Sequence, residues 1–296
     1  MKKLYGAIEA GGTKFVCAVG SGPDDLQTVR FATTTPQQTL QQTIDFFMPY
    51  QRHLKAIGVG SFGPVDLDFH SATYGHITST PKPGWANTDM IGALRHHFEI
   101  PMGFDTDVNG AALGEGRWGA AQGLENYIYI TIGTGIGGGV VANGELVHGL
   151  VHPELGHILL TKLADDTFAG SCPFHGDACF EGLASGPAIE ARWQMPGSDL
   201  PADHEGWDMQ ARYIAQALMT YMCALSPQRI ILGGGVMAQA QLLPLIQTQL
   251  LRCLNGYIQH PAILDGMDKL VVLPGLGDKA GILGALVLAQ QAEALA

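Results

Sequence analysis

The run Ile8-Glu9-Ala10-Gly11-Gly12-Thr13-Lys14-Phe15-Val16-Cys17-Ala18-Val19 returns in altered form as Ile130-Thr131-Ile132-Gly133-Thr134-Gly135-Ile136-Gly137-Gly138-Gly139-Val140-Val141. In each, two apolar stretches are interrupted by a glycine turn that carries a threonine, the pattern of a β-hairpin. A doubly wound dinucleotide fold joins its first glycine turn to a helix, so two strand-to-strand turns argue against it. Glycine also lets backbone N–H groups approach an anion, which makes each turn a candidate phosphate cradle. Taken singly, each is equally well a tight hairpin turn. A third cluster, Gly233-Gly234-Gly235, follows the strand-like Arg229-Ile230-Ile231-Leu232. Three such turns in one chain favour a nucleotide-dependent enzyme over a passive scaffold, and the absence of GxxxxGK[ST] argues against a P-loop kinase.

The pattern around these turns is strands followed by helices, twice over. Residues 4–8 and 13–20 read as the first hairpin, Val29–Thr34 as a third strand, Gln37–Met48 as a helix begun by Pro36, and Lys55–Val59 as a strand. Residues 65–86 are irregular, broken by Pro81, Pro83 and Gly84. Thr88–Phe98 reads as a helix, Met102–Phe104 as a strand, and a new helix starts at Asp107. After the second hairpin, Tyr127–Ile132 with Ile136–Asn143, come helices at Ala184–Arg192, Met209–Ala224 and Gln241–Leu254, a strand at Lys269–Leu273, and a final alanine-rich helix from Lys279. Two α/β lobes are expected: 1–118, with the helix of 279–296 packed back on it, and 119–278.

At 296 residues the chain can bury a sizeable core. With 27 acidic against 16 basic residues and a formal net charge of -11, it offers little to a nucleic-acid backbone. No apolar window suggests a membrane span, and Met1-Lys2-Lys3 is not followed by the apolar region of a signal peptide, so a cytoplasmic protein is expected. Five cysteines are too few and odd in number for a disulfide framework; Cys17, Cys223 and Cys253 read as small core residues.

The other two cysteines fall in a stretch, 148–182, of little periodicity. Cys172-x2-His175-x3-Cys179 places three borderline-soft ligands in one short loop, and His157 is near enough in sequence to fold back as a fourth. Four N/S donors suit tetrahedral structural Zn²⁺, whose binding energy would order a loop with little apolar content. The alternative is a chance cluster of thiols and exposed histidines. Asp107 follows an apolar strand at the expected N-cap of a helix, where backbone N–H groups would fix its carboxylate. From the residues alone it is a helix cap at least as readily as a catalytic base.

Glu9-x-Gly11-Gly12-Thr13-Lys14, Asp107-Val108-Asn109-x-Ala111-Ala112-x-Gly114-Glu115, Gly133-Thr134-Gly135-x-Gly137, Glu154-x-Gly156-His157 and Glu181-x4-Gly186 together resemble the ROK family of sugar kinases and sugar-responsive repressors. The matches run in order along essentially the whole chain. The segments 8–16, 60–66 and 80–85 resemble the bacterial fructokinase branch. The resemblance implies an actin-like ATPase, or duplicated ribonuclease-H-like, α/β fold of two lobes with a nucleotide in the cleft. It implies Asp107 as general base, hexose contacts from Glu154 and Glu181, and phosphate contacts from Gly11, Gly12, Thr13, Lys14, Gly133, Thr134 and Gly135. Gly233, Gly234 and Gly235 would lie near the adenosine, and Glu9 near Mg²⁺. Thr106 stands where family glucokinases carry a sugar-binding Asn. His157, Cys172, His175 and Cys179 would hold the zinc, with His175 replacing a family Cys. ATP, Mg²⁺ and structural Zn²⁺ are the implied cofactors, a homodimer the implied assembly, and D-fructose the implied substrate. A glucokinase or mannokinase, or a non-catalytic sugar sensor, is the alternative; a filament protein would have no use for the metal loop.

Overall fold

The computed structural model describes residues 2–296. The chain divides into two compact units, one containing the chain up to Gln122 together with Val147–His152 and Gly275–Ala296, the other Gly123–Leu146 and Pro153–Pro274.

The first unit is built on a five-stranded sheet whose first four strands are β1 (Leu4–Ala10), β2 (Lys14–Gly20), β3 (Gln27–Ala32) and β4 (Leu54–Ser61), with helix α1 (Pro36–Phe47) between the last two. Thr35 caps α1 and Pro36 opens it. A two-stranded ribbon follows, β5 (His76–Ile77) with β6 (Thr88–Asp89), then α2 (Met90–Arg95), β7 (Met102–Thr106) and α3 (Asp107–Trp118). The order in the sheet is β3-β2-β1-β4-β7, antiparallel among the first three and parallel from β1 to β7. Both faces are apolar. Ile8, Phe15, Cys17, Ile57 and Val59 face α1 and α2, while the alternate positions Tyr5, Ala7, Val16, Ala18 and Ala56 face the other side. Trp85 is fully buried, donates Nε1–H to Thr34 O at 2.8 Å and packs on Phe15 and Phe62. It thereby pins the irregular segment to the core.

The second unit repeats the plan. Its sheet contains β8 (Tyr127–Ile132), β9 (Ile136–Ala142), β10 (Glu145–Leu146), β11 (Arg229–Gly233) and β12 (Val271–Val272), in the order β10-β9-β8-β11-β12. Again the first three are antiparallel and β8, β11 and β12 are parallel. Its helices are α4 (Phe180–Ala184), α5 (Gly186–Trp193), α6 (Gly206–Leu225), α7 (Leu242–Leu254), α8 (Pro261–Leu264) and α9 (Met267–Leu270). The helix expected over 184–192 is α5, capped by Ser185 Oγ accepting Ala188 N–H, and the short α4, which Ser185 ends, precedes it where no helix was expected. The strand expected over 269–273 shrinks to two residues, since Met267 and Leu270 are buried by a helical turn and Pro274 ends the pairing.

The last helix, α10 (Ala280–Leu295), returns to the first unit and lies on β1, β4 and α3. It is apolar nearly all round, and its Ile282, Leu283 and Leu286 cover the second face of the sheet. Approach is backbone to backbone: a Cβ on Gly284 would stand 1.7 Å from Gly110 O, and one on Gly58 1.9 Å from Ala285 O. Two further expectations need correction. Thr106, not Asp107, is the N-cap of α3, its Oγ1 accepting Asn109 N–H at 3.1 Å. Cys223 is exposed on α6 and Cys253 only partly buried, so of the three only Cys17 is a core residue. Among the described residues no helix is long and apolar enough to cross a membrane.

Candidate active site and metal cluster

In the first unit, the β1–β2 turn is closed by Gly11 N–H to Lys14 O at 3.0 Å. It is braced from outside by Thr33, whose Oγ1 donates to Gly11 O at 2.6 Å and whose N–H donates to Thr13 O at 2.9 Å. Nothing lies within 4 Å of where a Gly12 Cβ would be, and Thr13 and Lys14 are exposed, so the turn is rigid at its base and open at its tip. That suits an anion cradle. Glu9 turns the other way. Its side chain meets Gly281, and its carboxylate accepts Ile282 N–H in the first turn of α10; burial raises its pKa despite the opposing charges of Lys14 and Arg30.

Asp107 is the first residue of α3, directly after the parallel strand β7. Its Oδ1 accepts Val108 N–H at 2.9 Å, and Gly60 at the end of β4 lies beside its Cα. Thr106 is buried, with its hydroxyl committed to the cap of α3. Asp105, which sequence reasoning passed over, is buried at this same turn and bonded to Thr106 N, Asn109 Nδ2 and His148 Nε2.

In the second unit the β8–β9 turn is closed by Gly133 N–H to Gly135 O at 2.9 Å, and Gly186 N–H donates to Gly133 O at 2.7 Å, tying the start of α5 to it. Gly234 has φ +89°, and any Cβ there would stand 2.4 Å from Ile132 O; only glycine lets β11 turn so close to β8. Gly133, Thr134 and Gly235 line a cavity of ≈ 520 Å³. Its other walls include Pro187, Glu190, Gly197 and Gln239, which the sequence reading assigned to no site.

Glu154 and Glu181 are each attached to the metal cluster. Glu154 opens the 3₁₀ turn Leu155–His157, with His157 N–H donating to its carbonyl at 3.0 Å. Glu181 lies in α4, which Cys179 caps by accepting Gly182 N–H on Sγ at 3.4 Å. Glu181 Oε2 also accepts Ile136 N–H at 2.9 Å, fixing the carboxylate at the mouth of the β8–β9 turn. The two segments are stitched together by Phe180 N–H to Ile158 O and Leu160 N–H to Ala178 O.

The ligand atoms of His157, Cys172, His175 and Cys179 lie within 4.8 Å of one another. Cys172 Sγ is 3.9 Å from His157 Nδ1 and 3.7 Å from His175 Nδ1, and Cys179 Sγ is 3.8 Å from His157 Nδ1. Tetrahedral bonds of about 2.3 Å to sulfur and 2.0 Å to nitrogen imply N···S edges of about 3.5 Å, so a small contraction would seat an ion. Without a cation, burial pushes the Cys179 thiol up to about 11; a cation would make its thiolate the stable form. The donor set therefore fits a metal ion.

The ROK family profile matches residues 5–292. The chain belongs to the ROK family. It is 46% identical to a fructokinase of Pediococcus pentosaceus over 98% of both chains. It is 45% identical to a fructokinase of Streptococcus mutans, over 99% of this chain and all of the other. A ROK glucokinase of Streptomyces griseus, solved with glucose and AMPPNP, superposes with a TM-score of 0.74 at 25% identity, covering 97% of this chain and 99% of that one. The two five-stranded sheets described above are thus those of the α/β sugar-kinase fold typical of ROK proteins, and His157, Cys172, His175 and Cys179 form a group that could hold a metal ion.

Proposed function

We propose that this ROK protein transfers the γ-phosphoryl group of ATP to the 6-hydroxyl of D-fructose. The observation that carries the reading is near-full-length similarity to two fructokinases at 45–46% identity, against 25% to the glucokinase. The retained acid at the β7–α3 turn favours catalysis over sugar sensing.

Phosphoryl transfer needs an acceptor for the hydroxyl proton and an aligned γ-phosphate. In this reading Asp107 takes the proton of the attacking 6-hydroxyl as its oxygen bonds to the γ-phosphorus, and the bond to ADP breaks. The N–H groups of Gly11, Gly12 and Gly133–Gly135, with the Thr13 and Thr134 hydroxyls, receive phosphate oxygens, and the cavity beside Gly235 takes the nucleoside. Lys14 offsets phosphate charge. Glu154 and Glu181 accept hydrogen bonds from hexose hydroxyls; losing such a bond would leave a polar group unpaired. Mg²⁺, when bound, would supply charge shielding for the phosphates; Glu9, whose carboxylate accepts Ile282 N–H at the start of α10, would hold it through a water. Zn²⁺ fits the two-thiol, two-imidazole set by softness and number and has a structural role. A homodimer is the assembly that belongs with this reading.

The test is a coupled assay of ADP release over fructose, mannose, glucose, N-acetylglucosamine and N-acetylmannosamine, with Asp107→Asn alongside. Fructose should give the highest kcat/KM, and Asp107→Asn should bind sugar without turnover. Glucose or an amino sugar ranking first would move the assignment to another branch; turnover by Asp107→Asn would remove the base. Sedimentation of a monomer would remove the dimer.

A further inference from the structure

Asp105 and Asp107 flank one cap residue, Thr106, and their surroundings differ. Asp105 is 3% exposed, and both its oxygens are used: Oδ1 accepts Thr106 N–H at 2.7 Å and Asn109 Nδ2–H at 2.6 Å, and Oδ2 faces His148 Nε2 at 2.8 Å. Asn109 is fully buried and its Oδ1 has no partner among the described residues, so its amide is oriented through Nδ2 alone. Thr106 N and Asn109 Nδ2 lie on either side of Asp107 in sequence. Asp105 therefore sets the turn on which Asp107 is carried.

A buried carboxylate is costly without hydrogen bonds and a counter-charge; His148 Nε2 faces Asp105 Oδ2 at 2.8 Å and is a counter-charge when the ring is protonated. The imidazole is partly exposed, and its hydrogen bond to Asp105 raises its pKa. His148 sits in Val147–His152, a segment that rejoins the first unit between two excursions into the second. The segment is anchored at both ends, by His148 on Asp105 and by His152 Nε2 on Val65 N–H at 3.3 Å. With Gly149 N–H bonded to Val151 O, it is a short strap whose histidines face inward.

We infer that His148 is a positioning residue for phosphoryl transfer: through its bond to Asp105 it fixes the β7–α3 turn that carries Asp107. The inference rests on Asp107 being the base. His148 acts through Asp105 and makes no contact with substrate.

The experiment is a kinetic cycle of His148→Ala, Asp105→Asn and the double variant, with His148→Gln as the replacement that keeps an N–H donor and His148→Met as one that does not. Displacing a reacting group by an ångström costs up to about 100-fold. His148→Ala should therefore lower kcat by about 10- to 100-fold, with KM for hexose and for ATP within about 3-fold of wild type. His148→Gln should recover to within about 5-fold of wild-type kcat. The double variant should be no more than about 3-fold below the poorer single, because both remove one interaction. Unchanged kcat in His148→Ala, a raised hexose KM at constant kcat, or multiplicative losses in the double variant would each overturn the inference. If His148→Ala does not fold, equal kcat for His148→Gln and His148→Met overturns it and a Gln value well above Met supports it. An inactive Asp107→Asn beside a normal His148→Ala removes this inference alone; an active Asp107→Asn removes the base on which it rests.

Discussion

The imidazole of His157 stands between a thiol and a carboxylate, with Nδ1 3.8 Å from Cys179 Sγ and Nε2 4.0 Å from Glu181 Oε1. A metal-bound histidine is commonly oriented by what its second nitrogen faces. Here that group is a proposed hexose ligand, so the proposed metal site and the proposed sugar carboxylate share one side chain.

Metal removal should therefore weaken sugar binding more than nucleotide binding. Protein purified without added metal should carry about one zinc ion per chain. A strong chelator or Cys179→Ser should lower both the thermal midpoint and hexose affinity, read by calorimetry, with ATP affinity changed less. A metal content well below one ion per chain, with activity indifferent to chelator, would remove the site.

Glu181→Gln keeps an oxygen for Ile136 N–H but loses the charge that strengthens bonds to hydroxyls. Such a bond contributes about 1.5–3 kcal/mol, so KM for the hexose should rise about 10- to 100-fold with little change in melting temperature. Glu181→Ala should lower the melting temperature as well, because the start of β9 loses its anchor. Equal melting temperatures for the two variants would contradict that second role.

Two glycine-to-alanine changes should separate stability from binding. Gly284→Ala puts a methyl 1.7 Å from Gly110 O, backbone that cannot swing aside; a loss of about 1–3 kcal/mol or more is expected, read by thermal unfolding. Gly12→Ala meets nothing within 4 Å and should melt near wild type while losing ATP affinity. A stable Gly284→Ala, or unaltered ATP binding in Gly12→Ala, would count against the close packing or the phosphate cradle respectively.

Asp166 and Arg192 form a buried ion pair at 3.1 Å, with the Tyr213 hydroxyl on the same carboxylate at 2.6 Å. Burial alone would raise the Asp166 pKa, but the hydrogen bonds from Tyr213, Phe168 N–H and Arg192 outweigh it and the net shift is downward. Its contribution to stability is thus complete above the unfolded value of about 3.9 and lost as pH falls through the lower folded value. Asp166→Ala leaves Arg192 buried without its partner and should cost about 3–5 kcal/mol at neutral pH. Its stability should also fall less steeply than wild type below pH about 4, measured by urea unfolding across pH.

The hairpins were legible because apolar runs and glycine turns are local signals, and the gathering of Cys172, His175 and Cys179 because they fall in one short loop, which His157 joins from farther back in the chain. Helix ends were less so: Thr106 and Asp107 are both good caps, and only the bond to Asn109 N–H distinguishes them. The partnership of His148 with Asp105 joins residues 43 apart and follows from the strap Val147–His152 returning to the first unit, which no periodicity announces. Glu115 was visible only as a motif letter. In the fold its buried carboxylate accepts Ala120, Gly275 and Leu276 N–H, tying the place where the chain leaves the first unit to the place where it comes back.

Because α10 covers one face of the first sheet, that face stays open until α10 has been synthesised. Tyr5, Ala7, Val16, Ala18 and Ala56 leave the ribosome early, yet Ile282, Leu283 and Leu286, which bury them, are made more than 200 residues later. At about 5–20 residues per second the interval is on the order of ten to fifty seconds. During that time the nascent chain displays an uncovered apolar sheet, a surface for chaperones to hold, and a ribosome that stalls short of residue 280 releases a fragment lacking part of its core rather than merely a tail.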